Sequence, residues 1–315
     1  MHKRSTAALL AGLTAAAIWG GMYVVSKVVL EVIPPFALLT TRLVLGIFTL
    51  GLAGLFLPKA KLGRGKTLQI FGTGLMGYGV SLGFQFVGTK LSTASNASLV
   101  TSATPAFILL FAPALLGEKV TLRKLAALAL ATLGVAAVID PRTAELSPAL
   151  FQGNLALLAA ALTWALYSVL VRKVTRNTSV VASTAIMLAG GLPSGIALGA
   201  WEVSTQGMGT ITAGVIAGIL FLGIISTAGA MFLWNYAFAE LPAGVASLTF
   251  FAQPLVGTLL GALLLGERIS PLFILGGILI GLGLIIASTG GPQTEEQEKN
   301  SSRHQAGSGG TDRVE

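Results

Sequence analysis

Cysteine is absent from this 315-residue chain, and its two histidines, His2 and His304, stand in the polar ends. Disulfides, thiolate metal sites and a thiol nucleophile are thereby excluded, and no imidazole is available in the body of the chain for acid–base work. Charge is scarce as well: 10% of residues carry it, and the twelve acidic ones fall in turns, loops or the final polar stretch. A buried carboxylate of the kind proton-driven carriers use is therefore not expected. An intramembrane lipid-modifying enzyme is a distant reading for the same reason, because no base, metal ligand or activated nucleophile sits in the apolar runs, and neither a catalytic residue nor a metal or cofactor is expected. What the chain does have is apolar, with 54% hydrophobic residues and a mean hydropathy of +0.83. A water-soluble globule cannot bury that much, so the lipid bilayer is the expected solvent and partner. The net charge of +8 then bears on membrane orientation, and no nucleic-acid partner is expected.

A helix needs about 20 mainly apolar residues to cross a bilayer. Ten such runs occur, at 6–30, 36–57, 67–89, 94–116, 122–139, 151–172, 179–201, 211–238, 243–265 and 271–289, and the stretch 290–315 is polar, Gly/Ser-rich and expected to be a disordered tail. Basic residues accumulate in cytoplasmic loops. With the N-terminus inside, fifteen of the 20 Lys and Arg fall on the cytoplasmic side together with the tail; Lys90, Arg142 and Arg268 fall outside, and Lys27 and Arg42 lie within spans.

One passage is written twice. ASLVTSATP at 97–105 runs on to LLGEK, and ASLTFFAQP at 246–254 runs on to LLLGER; over Ala97–Lys119 against Ala246–Arg268, 10 of 23 positions are identical, 149 residues apart. Five spans separate the copies, and an odd number of crossings reverses direction. The expected architecture is thus an all-α membrane protein of ten helices in two inverted five-helix repeats, 1–140 and 141–289, a plan that lets a midplane site open alternately to either side. Trp19 and Lys27 are spaced like Trp164 and Arg172, a fainter echo of the same duplication.

The ten spans, the AAxxW pattern of the first, Arg42 in the second, ASLVTSATP…LLGEK, LWNYAFAELPAGVASL and LLLGER resemble the EamA family of the drug/metabolite transporter superfamily. The resemblance covers residues 6–289. It implies an inner-membrane permease, often an exporter of amino acids or related metabolites, with a central cavity lined by helices 1–4 and 6–9 and with helices 5 and 10 to one side.

The residues themselves point to a cavity. Tyr78, Ser81 and Gln85 share one face of the third span at helical spacing, as do Ser98, Thr101, Ser102 and Pro105 in the fourth. Trp19 and Tyr23, Trp164, Tyr167 and Ser168, Trp234 and Asn235, and Phe250 and Gln253 supply further aromatic and polar groups at mid-span. Convergent hydroxyls, amides and rings suit a small zwitterion with an apolar side chain, although such residues also pack bundles and bond their own backbone. Arg42 either faces the cavity, where it would hold a carboxylate, or snorkels to headgroups; Lys27 has the same two options. Pro105 and Pro254 are expected at mid-helix as matched hinges that leave the carbonyls of Thr101 and Phe250 unbonded. The expected activity is secondary transport of a carboxylate-bearing small molecule by a monomer or homodimer, with drugs or lipophilic cations as the alternative cargo.

Overall fold

The computed structural model describes residues 3–56, 62–92, 97, 100–139, 148–175, 178–265 and 271–288. Ser98, the GER turn at 266–268 and the tail from 290 lie outside the described residues. Ten helices and no strand occur among those described: α1 Lys3–Leu30, α2 Pro35–Gly54, α3 Arg64–Leu91, α4 Thr104–Leu116, α5 Leu122–Ile139, α6 Pro148–Val174, α7 Val180–Gln206, α8 Ala213–Glu240, α9 over 243–265 and α10 Pro271–Ser288. Helices suit apolar segments because each satisfies its own backbone without water. Six of them, α1, α2, α3, α6, α7 and α8, are long and apolar enough to cross a membrane, and α4, α9 and α10 carry shorter apolar helices. Large apolar side chains face outward around the bundle, with Phe48 63%, Leu110 66% and Ile274 60% exposed. A surface of that kind belongs against lipid.

Local signals set the helix ends. Pro35 opens α2, where its missing N–H has no partner to lose. The side chains of Ser179 and Thr212 cap α7 and α8 by accepting from Ala182 N and Val215 N. Gly117 closes α4 at φ 69°, and this left-handed turn sends Glu118 back across the bundle end. α7 runs past the expected 201 to Gln206, which brings Glu202 inside its final turns, 5% exposed.

Three spans are irregular. α3 widens into a π-helical stretch at Leu75–Ser81 and α8 does the same at Phe221–Gly229, while α9 consists of Ala243–Ala246, a 3-10 piece Ser247–Phe251 and Ala252–Leu265. The expected mid-helix prolines are corrected here. Pro105 sits in the first turn of α4 and Pro254 in the first turn of Ala252–Leu265. Proline is accepted in a first turn, so each run breaks ahead of its proline instead of kinking across it.

Packing interlaces the chain. α5 packs on α10, α2 on α7, α3 on α6 and α7, α1 on α8 and α9, and α4 on α6, so each extensive contact joins a helix before residue 140 to one after residue 147. The α3–α7 crossing is close enough to require glycine: a Cβ on Gly74 would lie 1.9 Å from the Met187 carbonyl oxygen.

Polar tethers mark two opposite ends. At one, Lys27 Nζ donates to the carbonyls of Thr89, Lys90 and Ser92 at 3.3, 3.0 and 2.7 Å, and Glu202 Oε2 accepts from the N–H groups of Phe36 and Ala37 at 2.7 and 3.3 Å. Lys27 thus caps the end of α3. At the other end Glu118 accepts from Ala243 N at 2.7 Å and Gly244 N at 3.3 Å and pairs with Lys124 and Arg172 at 3.3 and 3.4 Å. Arg172 in turn donates to the carbonyls of Phe238 and Leu241 at the end of α8.

Candidate functional site

A small cavity of about 20 Å³ lies at mid-depth between α1, α3, α4, α6, α8 and α9. Its wall is formed by Trp19, Met22, Tyr23, Ser81, Leu82, Gln85, Thr101, Thr104, Ala160, Ala161, Trp164, Met231, Phe250 and Gln253. Along α1 and α3 these positions lie beyond mid-helix toward the Lys27 end, whereas along α6, α8 and α9 they lie at mid-helix or on the Glu118 side of it. Toward the Glu118 end the space is closed by aromatic rings: Trp19 meets Trp164 edge-on at 5.7 Å and lies 5.3 Å from Trp234, and Trp234 meets Phe250 at 5.5 Å. Offset and edge-to-face rings form a dense floor.

Polar groups on the wall fall into two sets. Some are already engaged. The Tyr23 hydroxyl and Thr101 Oγ1 are 2.9 Å apart, Thr101 Oγ1 donates to the Ala97 carbonyl, Ser81 Oγ donates to the Ala160 carbonyl at 2.8 Å, and Trp19 Nε1 donates to the Ser226 carbonyl at 3.1 Å. Others are buried without a hydrogen-bond partner: Trp164 Nε1, Thr104 Oγ1 and both polar atoms of the Gln253 amide. Unmet buried polar atoms are costly, and here they share one cavity. No metal-binding cluster of His, Cys, Asp or Glu occurs among the described residues.

Of the residues selected from sequence, Trp19, Tyr23, Gln85, Thr101, Trp164, Phe250 and Gln253 meet on this wall. Tyr78, Tyr167 and Asn235 do not. The Tyr78 and Tyr167 hydroxyls bond each other, Tyr167 donates to Asn235 Oδ1 at 2.7 Å, and Asn235 Nδ2 donates to Tyr78 and to Thr184 Oγ1 at 3.1 and 3.0 Å. This closed knot is fully buried beside the aromatic floor. The reason is the wide turn in α3: i→i+5 bonding changes the phase of the helix, so Tyr78 no longer shares a face with Gln85. Arg42 is also off the wall. It neither snorkels nor faces the cavity, but is fully buried with Nε donating to Thr227 Oγ1 at 2.6 Å, Nη2 to Ser226 Oγ at 3.3 Å and Nη1 toward Met22 Sδ at 3.7 Å. Ser98 lies outside the described residues.

Sequence reading missed Leu82 and, beside residues it did select, Met22, Thr104, Ala160, Ala161 and Met231. Each of the last five is three or four positions from a selected residue, namely Trp19, Thr101, Trp164 and Trp234, so helical spacing would have found them. They went unnoticed because methionine, alanine and a threonine before proline carry no chemical flag.

Comparison with known proteins places the chain among transporters. Residues 6–139 and 151–289 each match the EamA-like transporter family. An uncharacterized transporter, YcxC, of Bacillus subtilis is 26% identical over 297 residues, covering 90% of this chain and 94% of its own. A probable amino-acid metabolite efflux pump of Salmonella typhimurium is 28% identical over 282 residues, covering 85% of this chain and 90% of its own. A protein crystal structure superposes with a TM-score of 0.73 at 23% identity, over 90% of this chain and 97% of that one, a likeness of fold alone. The relatives are transporters and permeases rather than enzymes, and with the apolar helices they identify a multi-pass membrane protein.

Proposed function

Since the chain belongs to the EamA-like transporter family, we propose that it is a secondary transporter that exports amino acids or related small carboxylate-bearing metabolites through the mid-depth cavity. The observation that carries this reading is the pairing of unmet polar atoms, on Trp164, Thr104 and Gln253, with aromatic and thioether walls. A small solute with an apolar body and a polar head satisfies both. The efflux-pump name of the Salmonella relative supports the same cargo class. A drug or lipophilic cation is the second reading, favoured by the ring-lined floor; the absence of any carboxylate from the wall favours the first.

Alternating access follows if the ten helices are ten spans in two inverted repeats, 1–140 and 141–289, set in the cell inner membrane with both termini cytoplasmic. Several regularities support this. The offset of 149 that relates Ala97–Lys119 to Ala246–Arg268 also carries Thr89 and Ser92 onto Phe238 and Leu241. Those two carbonyl pairs are held by Lys27 and by Arg172, at opposite ends of the bundle. Wide turns recur in α3 and α8. In this orientation the aromatic floor lies on the cytoplasmic side of a cavity at mid-depth. The protein works within the bilayer on a small molecule, as a monomer or homodimer.

Proteoliposomes loaded with a panel of radiolabelled amino acids and organic acids test the reading. Efflux of at least one, reduced several-fold in Gln253→Ala at equal incorporation, is expected; a folded protein that moves none of them has another cargo.

A further inference from the structure

The charge nearest the cavity belongs to a side chain outside its wall. Arg42 is fully buried in α2, and its three nitrogens end on a threonine hydroxyl, a serine hydroxyl and a methionine sulfur, with the Phe86 ring centroid 5.0 Å from Cζ. Among the described residues no carboxylate lies within ion-pair distance of it. The two acidic side chains drawn into the bundle, Glu202 and Glu118, are occupied at its opposite ends. A guanidinium so placed is a buried positive charge without a counter-charge, an arrangement that is costly and that usually has a function.

Met22 links this charge to the cavity. Its sulfur is the Arg42 contact at 3.7 Å, and the same side chain forms part of the wall. The positive charge therefore stands one side chain behind the cavity, whose own wall carries no charged residue. On that wall the Trp164 N–H and the Gln253 amide N–H groups are donors without acceptors. The hydroxyls of Ser226 and Thr227 fix the guanidinium from the far side, through the wide turn of α8.

We propose that Arg42 is a specificity-determining positioning residue, which selects solutes bearing an anionic group by its field while Trp164 and Gln253 make the contacts. The inference rests on the transporter reading of the cavity. A carboxylate seated on the two donors would supply the missing counter-charge. At an effective dielectric near 20, a unit charge about 10 Å from an anion changes its affinity roughly tenfold. Selection at a distance also suits a carrier, because the anion leaves without breaking a bidentate ion pair.

The test uses two matched ligand pairs with one apolar body: leucine and leucinamide, and 4-methylpentanoate and 4-methylpentanamide. Binding to purified full-length protein is followed by quenching of tryptophan emission, with calorimetry as the second readout. Wild type is expected to bind 4-methylpentanoate about tenfold more tightly than its amide. Arg42→Met is expected to bring the two within about twofold by weakening the acid alone, whereas Arg42→Lys, which keeps the charge but loses the planar fork, retains most of the preference. Arg42→Gln serves as a second neutral variant. The proposal is overturned if wild type binds neither acid, if it does not distinguish acid from amide, if the preference survives in both neutral variants, or if those variants weaken acid and amide equally. Should no neutral variant fold, the wild-type ratio decides by itself. The two readings separate cleanly: Arg42-dependent binding of 4-methylpentanoate without leucine binding removes the amino-acid cargo and keeps the inference. Leucine binding that ignores Arg42 does the reverse.

Discussion

Trp164 packs its ring against Trp19 and Tyr167 while its indole N–H meets nothing. Trp164→Phe removes that donor and keeps an aromatic filler. It should weaken binding of the transported solute about fivefold, the worth of one hydrogen bond, and leave the melting temperature of the purified protein nearly unchanged. Asn235 behaves oppositely. It joins Tyr78, Tyr167 and Thr184, and Asn235→Leu would remove the Tyr167 hydroxyl's acceptor and the donor to Tyr78 and Thr184 in a fully buried place. A loss of about 2 kcal/mol is expected, read as a lower melting temperature. At this scale about half of the wall was legible in the sequence, through aromatic, hydroxyl and amide side chains at helical spacing in apolar runs. Tyr78 and Arg42 were not. The face of Tyr78 depends on a π-helical turn that no residue pattern announces, and the surroundings of Arg42 depend on which hydroxyls α8 brings beside α2.

Helix ends carry much of the polar chemistry among the elements. Glu118 satisfies the first N–H groups of α9 and gathers Lys124 and Arg172 beside them. Glu118→Ala removes all of these at once and should destabilise the protein by about 1–2 kcal/mol. Lys124→Ala, at a partly solvated pair, should cost well under half of that in the same melting experiment. The prolines give a contrasting expectation. Because Pro105 and Pro254 occupy first turns, Pro→Ala at either should shift stability by less than about 1 kcal/mol. A loss of transport rate in the double variant, with solute affinity retained, would assign them to motion. Segment identity could be read from the apolar runs. The breaks ahead of the prolines could not, since proline marks both a kink and a helix start.

The whole molecule is interlaced. α2 lies on α7, α5 on α10, and α1 on α8 and α9, so helices from the two stretches matched to the family alternate through the bundle. The proposed inverted arrangement makes a direct prediction. The natural chain has no cysteine, so single cysteines at Glu118 and Glu267 can be labelled from either side of intact cells with an impermeant maleimide; labelling from opposite compartments is expected, and a shared compartment ends the mirror relationship. Which helices face each other was not legible, because the duplication gives kinship between segments and says nothing of their neighbours.

That interlacing also constrains the mechanics. Tilting residues 1–140 as one slab against 141–289 would separate nearly every well-packed helix pair in the bundle, so the slabs of ancestry cannot be the slabs that swing. If the protein works by alternating access, the expected moving bodies are couples with one member from each stretch, and α5 with α10 is expected to stay together as a strut. The Ala131 Cβ lies 3.3 Å from where a Cβ on Gly283 would sit. That added Cβ would also stand 2.8 Å from the Ala127 carbonyl oxygen, so Gly283→Ala should force α10 off α5 and lower the melting temperature of the purified protein.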